Sequence, residues 1–577
     1  MRVDESITVS APVEAVWQLV ANPLYWPRDL GRMRSEHVQG TPEVGIGARY
    51  MLHFEVGAFQ VGSLIEVTRH EPPHAIDWVA IRGLEQSGSW LLHRIDDRSC
   101  RVLLRVRYQA AGGLAALITD EVSSILVHRY IAGGLRALTR RCEGVPRRPD
   151  RDALTLAGDG REWLGRVGHS ARVLAGARLL RPLRPDRYAR AAAAVARWGQ
   201  TPAGAYACLA ILYPDEPAVI DELGALTFAE LDECAGRLAG RLLEEGINEG
   251  DRVAVMCRNH RWFVISVIAL SMLGANALLL NTGFAGPQLA DVLRRERPRA
   301  VIHDYEFTEL MPRSLPRRRR YVAWTEEGAT EQRTLERAVE EADASAPAPP
   351  ELPGRTTILT SGTTGAPKGA ARPYPGLSAS VSILEAIPLR AREPVLVSTP
   401  LFHQWGFAHF SLGQLLASTL VLRRRFDPED ALVMIERERV RCWPMVPVMC
   451  QRILELPKRV RGRYDTRSLR TVPLSGSALS GELASRFMDE FGDVLYNLYG
   501  STEVAWVAIA NPKDLRRAPG TVGRPPRETT VRILDEHGIR VPAGQSGRIF
   551  VRNELLFDGY TGGGSKDILD GLMSTGD

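Results

Sequence analysis

The segment from Thr360 to Gly369 reads TSGTTGAPKG, and its residue types suit the binding of phosphate groups. Small residues let backbone amides and hydroxyls approach phosphate oxygens closely, and Lys368 supplies a positive charge. The string therefore predicts a phosphate-binding loop at the end of a strand. Its candidate residues are Thr360, Ser361, Gly362, Thr363, Thr364, Gly365, Lys368 and Gly369.

This loop is not a Walker A loop. Counting from Gly362, the second glycine that a Walker A loop requires falls on Pro367. Gly369 occupies the place of the magnesium-binding Ser or Thr that follows the lysine. The mismatch indicates a different kind of nucleotide chemistry.

TSGTTGAPKG resembles the AMP-binding signature of the acyl-adenylate-forming enzymes, which include acyl-CoA synthetases, luciferases and peptide-synthetase adenylation domains. Further motifs of that family follow in the expected order, and the resemblance covers about Arg187 to Asp577. Asn281 to Leu293 is similar to actinobacterial fatty-acid CoA ligases. The companion motifs are Pro400–His403, Ser475–Leu479, Tyr499–Glu503 and Ser574–Asp577.

The resemblance implies that a carboxylate attacks the α-phosphorus of ATP, which yields an acyl-adenylate and pyrophosphate. Because two anions must meet, cations and hydrogen-bond donors have to offset their repulsion. By the same resemblance, Lys368, Thr363 and Thr364 hold the β and γ phosphates. Thr502 contacts the α-phosphate, and Glu503 ligates Mg²⁺.

The family pattern also implies sites for the base and the ribose. Tyr499 offers an aromatic face to adenine, and Asp577 can accept hydrogen bonds from both ribose hydroxyls. Coenzyme A is the acceptor that an acyl-CoA synthetase implies. The remaining residues of the expected nucleotide site are Ser475, Gly476, Ser477, Ala478, Asn497, Gly500 and Ser501.

His403 follows Pro-Leu-Phe and admits two interpretations. It is either a buried histidine with satisfied hydrogen bonds or the family's gate near the substrate carboxylate. The gate makes it a candidate catalytic residue beside Lys368, Thr502 and Glu503.

The family normally continues past the ribose aspartate, through a hinge, into a mobile domain that carries a second lysine. The sequence stops at Asp577, so we expect a fragment. Such a fragment should bind ATP and acyl-adenylate, but adenylate slowly and form thioesters hardly at all.

The elements that must position these residues alternate in α/β fashion from Arg187 onward. The periodicity predicts a helix over 228–245, strands over 251–256, 356–360 and 494–498, and a core of parallel sheet. Trp262 to Leu280 carries no charge and approaches the length of a membrane helix. Gly274 and Asn276 interrupt it, which favours a buried helix followed by a buried strand.

Residues 1–143 predict a separate α+β domain, because apolar and polar residues alternate in several short segments. Val13, Val16, Trp17 and Val20 recur at helical spacing, and Leu114 to Ile125 predicts a long helix. Ser6 to Trp17 resembles the first segment of START-like, or polyketide-cyclase-like, helix-grip domains. That resemblance implies an apolar cavity for a hydrophobic ligand, although a packed interaction module without ligand remains open.

Residues 144–186 are rich in Arg, Pro, Gly and Asp and predict a linker, which leaves 187–577 as the adenylation domain. A net charge of +5 over 577 residues gives no case for nucleic-acid binding. The seven cysteines show no metal-ligand spacing, and the N-terminus lacks the apolar core of a signal peptide. These features favour the cytoplasm, with peripheral association with a membrane left open.

The sequence thus predicts ATP-dependent activation of a carboxylic acid, a medium- or long-chain fatty acid by family analogy, to acyl-AMP and acyl-CoA. One alternative is an acyl-AMP ligase that loads a carrier protein. Another is a lipid-binding or scaffolding protein with an inert ATP site.

Overall fold

The chain forms two compact units in the computed structural model, with residues 1–171 making most of the first and 172–577 almost all of the second. Each unit is described by itself. The structure describes residues 2–26, 33–56, 59–83, 86–108, 131, 133–143, 168–179, 181–312, 315–325, 333–342, 346–360, 368–371, 377–553, 555–557, 560–561, 566–569 and 571–577.

The first unit is built on an antiparallel sheet of seven strands in the order β1-β7-β6-β5-β4-β3-β2. Alternation of apolar and polar residues produces this sheet, since successive side chains of a strand point to opposite faces. In β6 the burial alternates residue by residue from Gln86 to Leu92. The strands are β1 (Arg2–Val9), β2 (Met33–His37), β3 (Arg49–Val56), β4 (Phe59–Glu71), β5 (Ala75–Gly83), β6 (Gln86–Asp96) and β7 (Ser99–Tyr108).

The helix Val13–Val20 packs its apolar face into the core of this unit. Its buried residues are the four that the spacing predicts: Val13, Val16, Trp17 and Val20. Residues 133–142 are also helical, and the predicted helix at Leu114 to Ile125 lies outside the described residues. Strand, short helix and antiparallel sheet follow in the predicted order.

The largest sheet of the second unit has the order β13-β12-β10-β11-β14-β15-β23. The first five strands in this order run parallel, whereas β15 and β23 pair antiparallel. The predicted strand at Thr356 to Thr360 is confirmed as β14. The strands are β10 (Arg252–Met256), β11 (Asn276–Leu279), β12 (Ala300–His303), β13 (Arg320–Val322), β14 (Thr356–Thr360), β15 (Lys368–Ala371) and β23 (Tyr560–Thr561).

Among its described residues this unit also has three smaller sheets, with orders β16-β17-β8-β9, β18-β19-β20 and β21-β22-β25-β24. The predicted strand at 494–498 is β19, shifted by one residue. The strands are β8 (Pro217–Asp221), β9 (Gly224–Thr227), β16 (Val395–Val397), β17 (Leu420–Leu422), β18 (Val472–Leu474), β19 (Leu495–Tyr499), β20 (Ala508–Ala510), β21 (Thr530–Leu534), β22 (Arg548–Arg552), β24 (Ile568–Leu569) and β25 (Leu572–Ser574).

Helices connect these strands, and local sequence signals set where they begin. The helix Phe228–Glu244 starts at a capping box, in which Thr227 and Glu230 satisfy each other's backbone N–H groups. The helices along residues 185–517 are Pro185–Trp198, Pro202–Leu212, Phe228–Glu244, Arg261–Met272, Gly286–Glu296, Leu335–Glu340, Leu377–Ala386, Gln404–Leu416, Pro428–Arg437, Pro447–Glu455, Lys458–Arg461, Gly481–Phe491 and Pro512–Arg517.

The uncharged stretch Trp262 to Leu280 is a buried helix followed by the buried strand β11. Every residue from Trp262 to Met272 is buried. The expectation of a buried helix and strand is therefore confirmed. Within the described part of the chain, no helix combines the length and apolar character needed to cross a bilayer.

A buried ion pair joins the start of the helix Arg261–Met272 to the end of β8. The Asp221 side chain is fully buried and that of Arg261 is 11% exposed, with Nη2 2.5 Å from Oδ1. The same carboxylate accepts a hydrogen bond from the backbone N–H of Arg261 at 2.9 Å. Asp221, at the end of β8, therefore caps the N-terminus of this helix. A negative charge is favoured at a helix N-terminus.

We predict that Arg261→Ala lowers the free energy of unfolding of the second unit by about 3 kcal/mol, because it leaves a buried carboxylate without its cation. Arg294→Ala is the matched control, since Arg294 and Asp291 form an ion pair whose side chains are 74% and 71% exposed. Scanning calorimetry of both variants measures the difference. Equal unfolding midpoints would contradict the role given to this pair.

Candidate active site

Two of the predicted nucleotide-binding segments follow neighbouring parallel strands. β18 pairs with β19 so that Leu474 lies opposite Asn497. Since carboxyl ends of parallel strands meet at one edge of a sheet, Ser475–Ala478 and Tyr499–Glu503 leave the sheet side by side. Gly476 has a φ of +95°, a conformation that favours glycine. The structure thus brings together two segments that are separate in sequence.

The segment from Tyr499 to Glu503 turns back sharply on itself. Ala505 N–H donates to Ser501 O at 2.9 Å, and Val507 N–H donates to Tyr499 O at 2.8 Å. A Cβ atom on Gly500 would lie 1.9 Å from the carbonyl oxygen of Ala505, so this turn requires glycine. Thr502 and Glu503 lie within this turn.

The Ser501 hydroxyl orients the Glu503 carboxylate. It donates to Glu503 Oε2 at 2.8 Å and accepts from the backbone N–H of Glu503 at 3.2 Å. A carboxylate oxygen is the kind of hard ligand that Mg²⁺ prefers. Thr502, which carries a hydroxyl group, immediately precedes Glu503 in the sequence. The donor types in this loop therefore fit a magnesium ion that accompanies a nucleotide.

Tyr499 and Asp577, predicted to contact the base and the ribose, are in direct contact. The Tyr499 hydroxyl donates to Asp577 Oδ2 at 2.5 Å. Burial, followed by this bond, raises the pKa of Tyr499 to about 12, so the hydroxyl remains a donor at neutral pH. Asp577 is held by the backbone of β22, where Ile549 N–H donates to Asp577 O at 3.1 Å.

The predicted phosphate loop lies between two paired strands. β14 and β15 are antiparallel, with Thr360 opposite Lys368 and Leu359 opposite Gly369. Residues 361–367 lie outside the described residues, and with them the predicted contributors Ser361, Gly362, Thr363, Thr364 and Gly365. The described strands place both ends of this loop at one end of the large sheet.

Asn497 has a structural partner in addition to its predicted place in the nucleotide site. Its side chain is 5% exposed, and Nδ2 donates to the carbonyl oxygen of Thr521 at 3.2 Å. Asn497 therefore ties β19 to the segment after the helix Pro512–Arg517. A contact with nucleotide stays a prediction.

His403 immediately precedes the helix Gln404–Leu416. His403 is exposed to solvent, and partial desolvation by its surroundings lowers its pKa below the ordinary value of histidine, which favours the neutral ring. Two residues on, Trp405 Nε1 donates to Met445 O at 3.0 Å, and Met445 forms a parallel bridge with Leu474 of β18. The gate role of His403 remains a prediction.

Asn259 fixes the segment that leads to His403, and the sequence motifs did not indicate it. Its side chain is 4% exposed, with Nδ2 donating to Val397 O at 3.0 Å and Thr399 O at 2.8 Å. Its Oδ1 accepts from Leu401 N–H at 2.8 Å. A polar residue after the apolar strand β10 is the only signal in the sequence, and it does not reveal these partners.

Cys257, His260 and Asp304 form a second group of side chains with the atom types of metal ligands. All three are buried, but both carboxylate oxygens of Asp304 accept hydrogen bonds within the protein. His260 Nε2 lies 2.8 Å from Oδ1, and Arg258 N–H donates to Oδ2 at 2.9 Å. These interactions outweigh the effect of burial and lower the pKa of Asp304, which indicates a structural network.

Comparisons with known proteins match two families to this chain. Residues 210–561 match the family described as "AMP-binding enzyme", and residues 1–143 match "Polyketide cyclase / dehydrase and lipid transport". A feruloyl-CoA synthase from an Amycolatopsis species is 34% identical over 364 residues, which cover 61% of this chain and 70% of that protein. An indoleacetate–CoA ligase from Aromatoleum aromaticum is 28% identical over 379 residues, covering 63% and 73%.

Among solved structures, the inhibitor-bound N-terminal domain of FACL13 from Mycobacterium tuberculosis superimposes with a TM-score of 0.58. The likeness covers 65% of this chain and 96% of that domain at 23% identity, and it shows a shared fold. The family match extends over more than half of the chain and contains β18, β19, β22 and the segments Ser475–Ala478 and Tyr499–Glu503, whereas Asp577 lies beyond it. The chain therefore belongs to the AMP-binding enzymes, the acyl-adenylate-forming superfamily, and carries a START-like domain at its N-terminus.

Proposed function

We propose that this chain activates a carboxylic acid with ATP and so carries out the adenylation step of an AMP-forming acyl-CoA ligase. The observation that carries the proposal is the arrangement of Tyr499, Asp577 and Glu503 around one strand end. Tyr499 would offer an aromatic ring to the base and Asp577, its hydrogen-bond partner, a carboxylate to the ribose, while Glu503 would offer a carboxylate to the metal from the turn that follows Tyr499. The relatives named as CoA ligases support coenzyme A as the acyl acceptor.

The chemistry assigns each group a task. The acid's carboxylate attacks the α-phosphorus of ATP, the bond to the bridging oxygen breaks, and pyrophosphate leaves. Lys368 and Thr502 would stabilise the charge that develops on the phosphate oxygens, and Glu503 would hold Mg²⁺. Bound Mg²⁺ would offset negative charge on the phosphates. Neutral His403 would border the acid without adding a second charge.

The acid is proposed to have an apolar body. A medium- or long-chain fatty acid is the prediction from the sequence, whereas the names of the feruloyl-CoA and indoleacetate relatives favour an aromatic acid. Both classes bury an apolar group, and they differ in whether that group is planar.

We further propose that the first unit binds a hydrophobic ligand. Its family match to polyketide cyclases and lipid-transport domains supports this, as does the aromatic content of its core. The Trp26 and Trp78 ring centroids lie 4.5 Å apart there, with Trp90 beside them.

The proposed function predicts exchange of labelled pyrophosphate into ATP that depends on a carboxylic acid. A panel of fatty acids of increasing length, together with ferulate and indoleacetate, should reveal at least one active acid. Assays with coenzyme A and with a phosphopantetheine carrier protein then separate the two acceptors. If no acid supported exchange above background, the ligase assignment would fail.

Lys368→Ala should slow acid-dependent pyrophosphate exchange by about a hundredfold or more, because it removes a charge that stabilises the transition state. Lys513→Ala is the control, since Lys513 is an exposed lysine on the helix Pro512–Arg517. Exchange rates at saturating ATP compare the two. A wild-type rate in Lys368→Ala would remove this lysine from the mechanism.

Tyr499→Phe should weaken ATP binding by about fivefold, because it keeps the ring but loses one hydrogen bond to Asp577, worth about 1 kcal/mol. Tyr499→Ala should weaken it further, since base stacking on an aromatic ring contributes about 1–3 kcal/mol. Calorimetric titration with ATP measures both. Additive effects of Tyr499→Phe and Asp577→Asn in the double variant would show that the two residues do not act together.

A further inference from the structure

A buried asparagine at the end of β22 contacts the backbone that follows Glu503. Asn553 is 6% exposed, and its Nδ2 donates to Val504 O at 2.7 Å and to Trp506 O at 3.0 Å. Its Oδ1 accepts from Leu555 N–H at 2.9 Å. The amide thus uses both donors and its acceptor on backbone groups, and two of these belong to the loop that carries Glu503.

These bonds brace a strained turn. Ala505 has a φ of 63°, a left-handed conformation that costs a residue with a Cβ atom about 1 kcal/mol. The two carbonyl groups that Asn553 binds belong to the residues on either side of Ala505. In addition, Phe557 N–H donates to Glu503 O at 2.9 Å. The backbone from Glu503 to Trp506 is therefore held in position from the segment that begins at Asn553.

The other end of β22 holds the ribose aspartate. Ile549 N–H donates to Asp577 O at 3.1 Å, and Thr575 N–H donates to Ile549 O at 3.0 Å. At about 3.3 Å per residue, roughly 13 Å of strand separates Ile549 from Asn553. A single strand therefore sets the spacing between the candidate ribose contact and the candidate metal ligand.

We propose that Asn553 is a positioning residue for Glu503, which it keeps where a magnesium ion bound to ATP meets the loop. This inference rests on the proposed function. Asn553→Ala removes the partner of the buried Val504 carbonyl, of the part-buried Trp506 carbonyl and of the Leu555 N–H group, so the turn at Ala505 can relax. Asn553→Asp keeps the shape and the acceptor but removes both donors. Both variants should therefore displace the Glu503 carboxylate.

The test is calorimetric titration of the full chain with ATP, once with Mg²⁺ and once with a chelator of divalent metals. Both Asn553 variants should weaken ATP binding by about tenfold in Mg²⁺ and change it little in the chelator, as expected for a residue that orients a metal ligand. Asn276→Ala is the matched control. Its side chain donates to Gly250 O at 2.8 Å and accepts from Arg355 N–H at 2.9 Å, which is the same type of backbone contact on β11.

An Asn553 variant whose ratio of ATP affinities with and without Mg²⁺ equals that of Asn276→Ala would overturn the inference. Loss of the folded state in both Asn553 variants, judged by circular dichroism, would also overturn it, because Asn553 would then be a structural residue alone. Failure of the proposed function gives a different result, in which the wild-type chain itself binds no ATP.

Discussion

A backbone N–H or C=O group that leaves a strand and turns through the protein interior must still find a hydrogen-bond partner. The candidate site consists of such turns, which follow β18, β19 and β16. Regular strand pairing cannot satisfy them, and buried asparagine amides do so instead. Asn259 serves the approach to His403, and Asn553 serves the turn after Glu503. The geometry of the site therefore depends on side chains that need not contact substrate.

Local sequence patterns predicted much of the fold. The helix Val13–Val20 and the strand β14 appear as predicted. The signals that predict them, apolar spacing and a following loop of small residues, involve only a few neighbouring positions. The buried helix and strand within Trp262 to Leu280 follow from the same local signals. Boundaries differ by one residue in the helix Phe228–Glu244 and in β10 and β19, where ends depend on tertiary contacts.

The contacts within the site could not be predicted in this way. Asn259 and Thr399 are 140 positions apart, Tyr499 and Asp577 are 78 apart, and Asn553 and Val504 are 49 apart. No periodicity links such positions. Family resemblance indicated Tyr499 and Asp577 as nucleotide contacts, but only the fold shows that the hydroxyl of one bonds the carboxylate of the other. For Asn497 the family resemblance predicted a nucleotide contact but gave no sign of the hydrogen bond to Thr521, because Thr521 lies outside every recognised motif.

The separate anchoring of the two sides of the site bears on how such enzymes diversify. Asp577 and the Glu503 loop are both tied to β22, whereas the segment before His403 is tied to the end of β10. Substitutions that reshape the candidate acid side can therefore accumulate without disturbing the spacing of the candidate nucleotide contacts. One framework for adenylate chemistry can thus be inherited unchanged while the range of acids that it activates evolves.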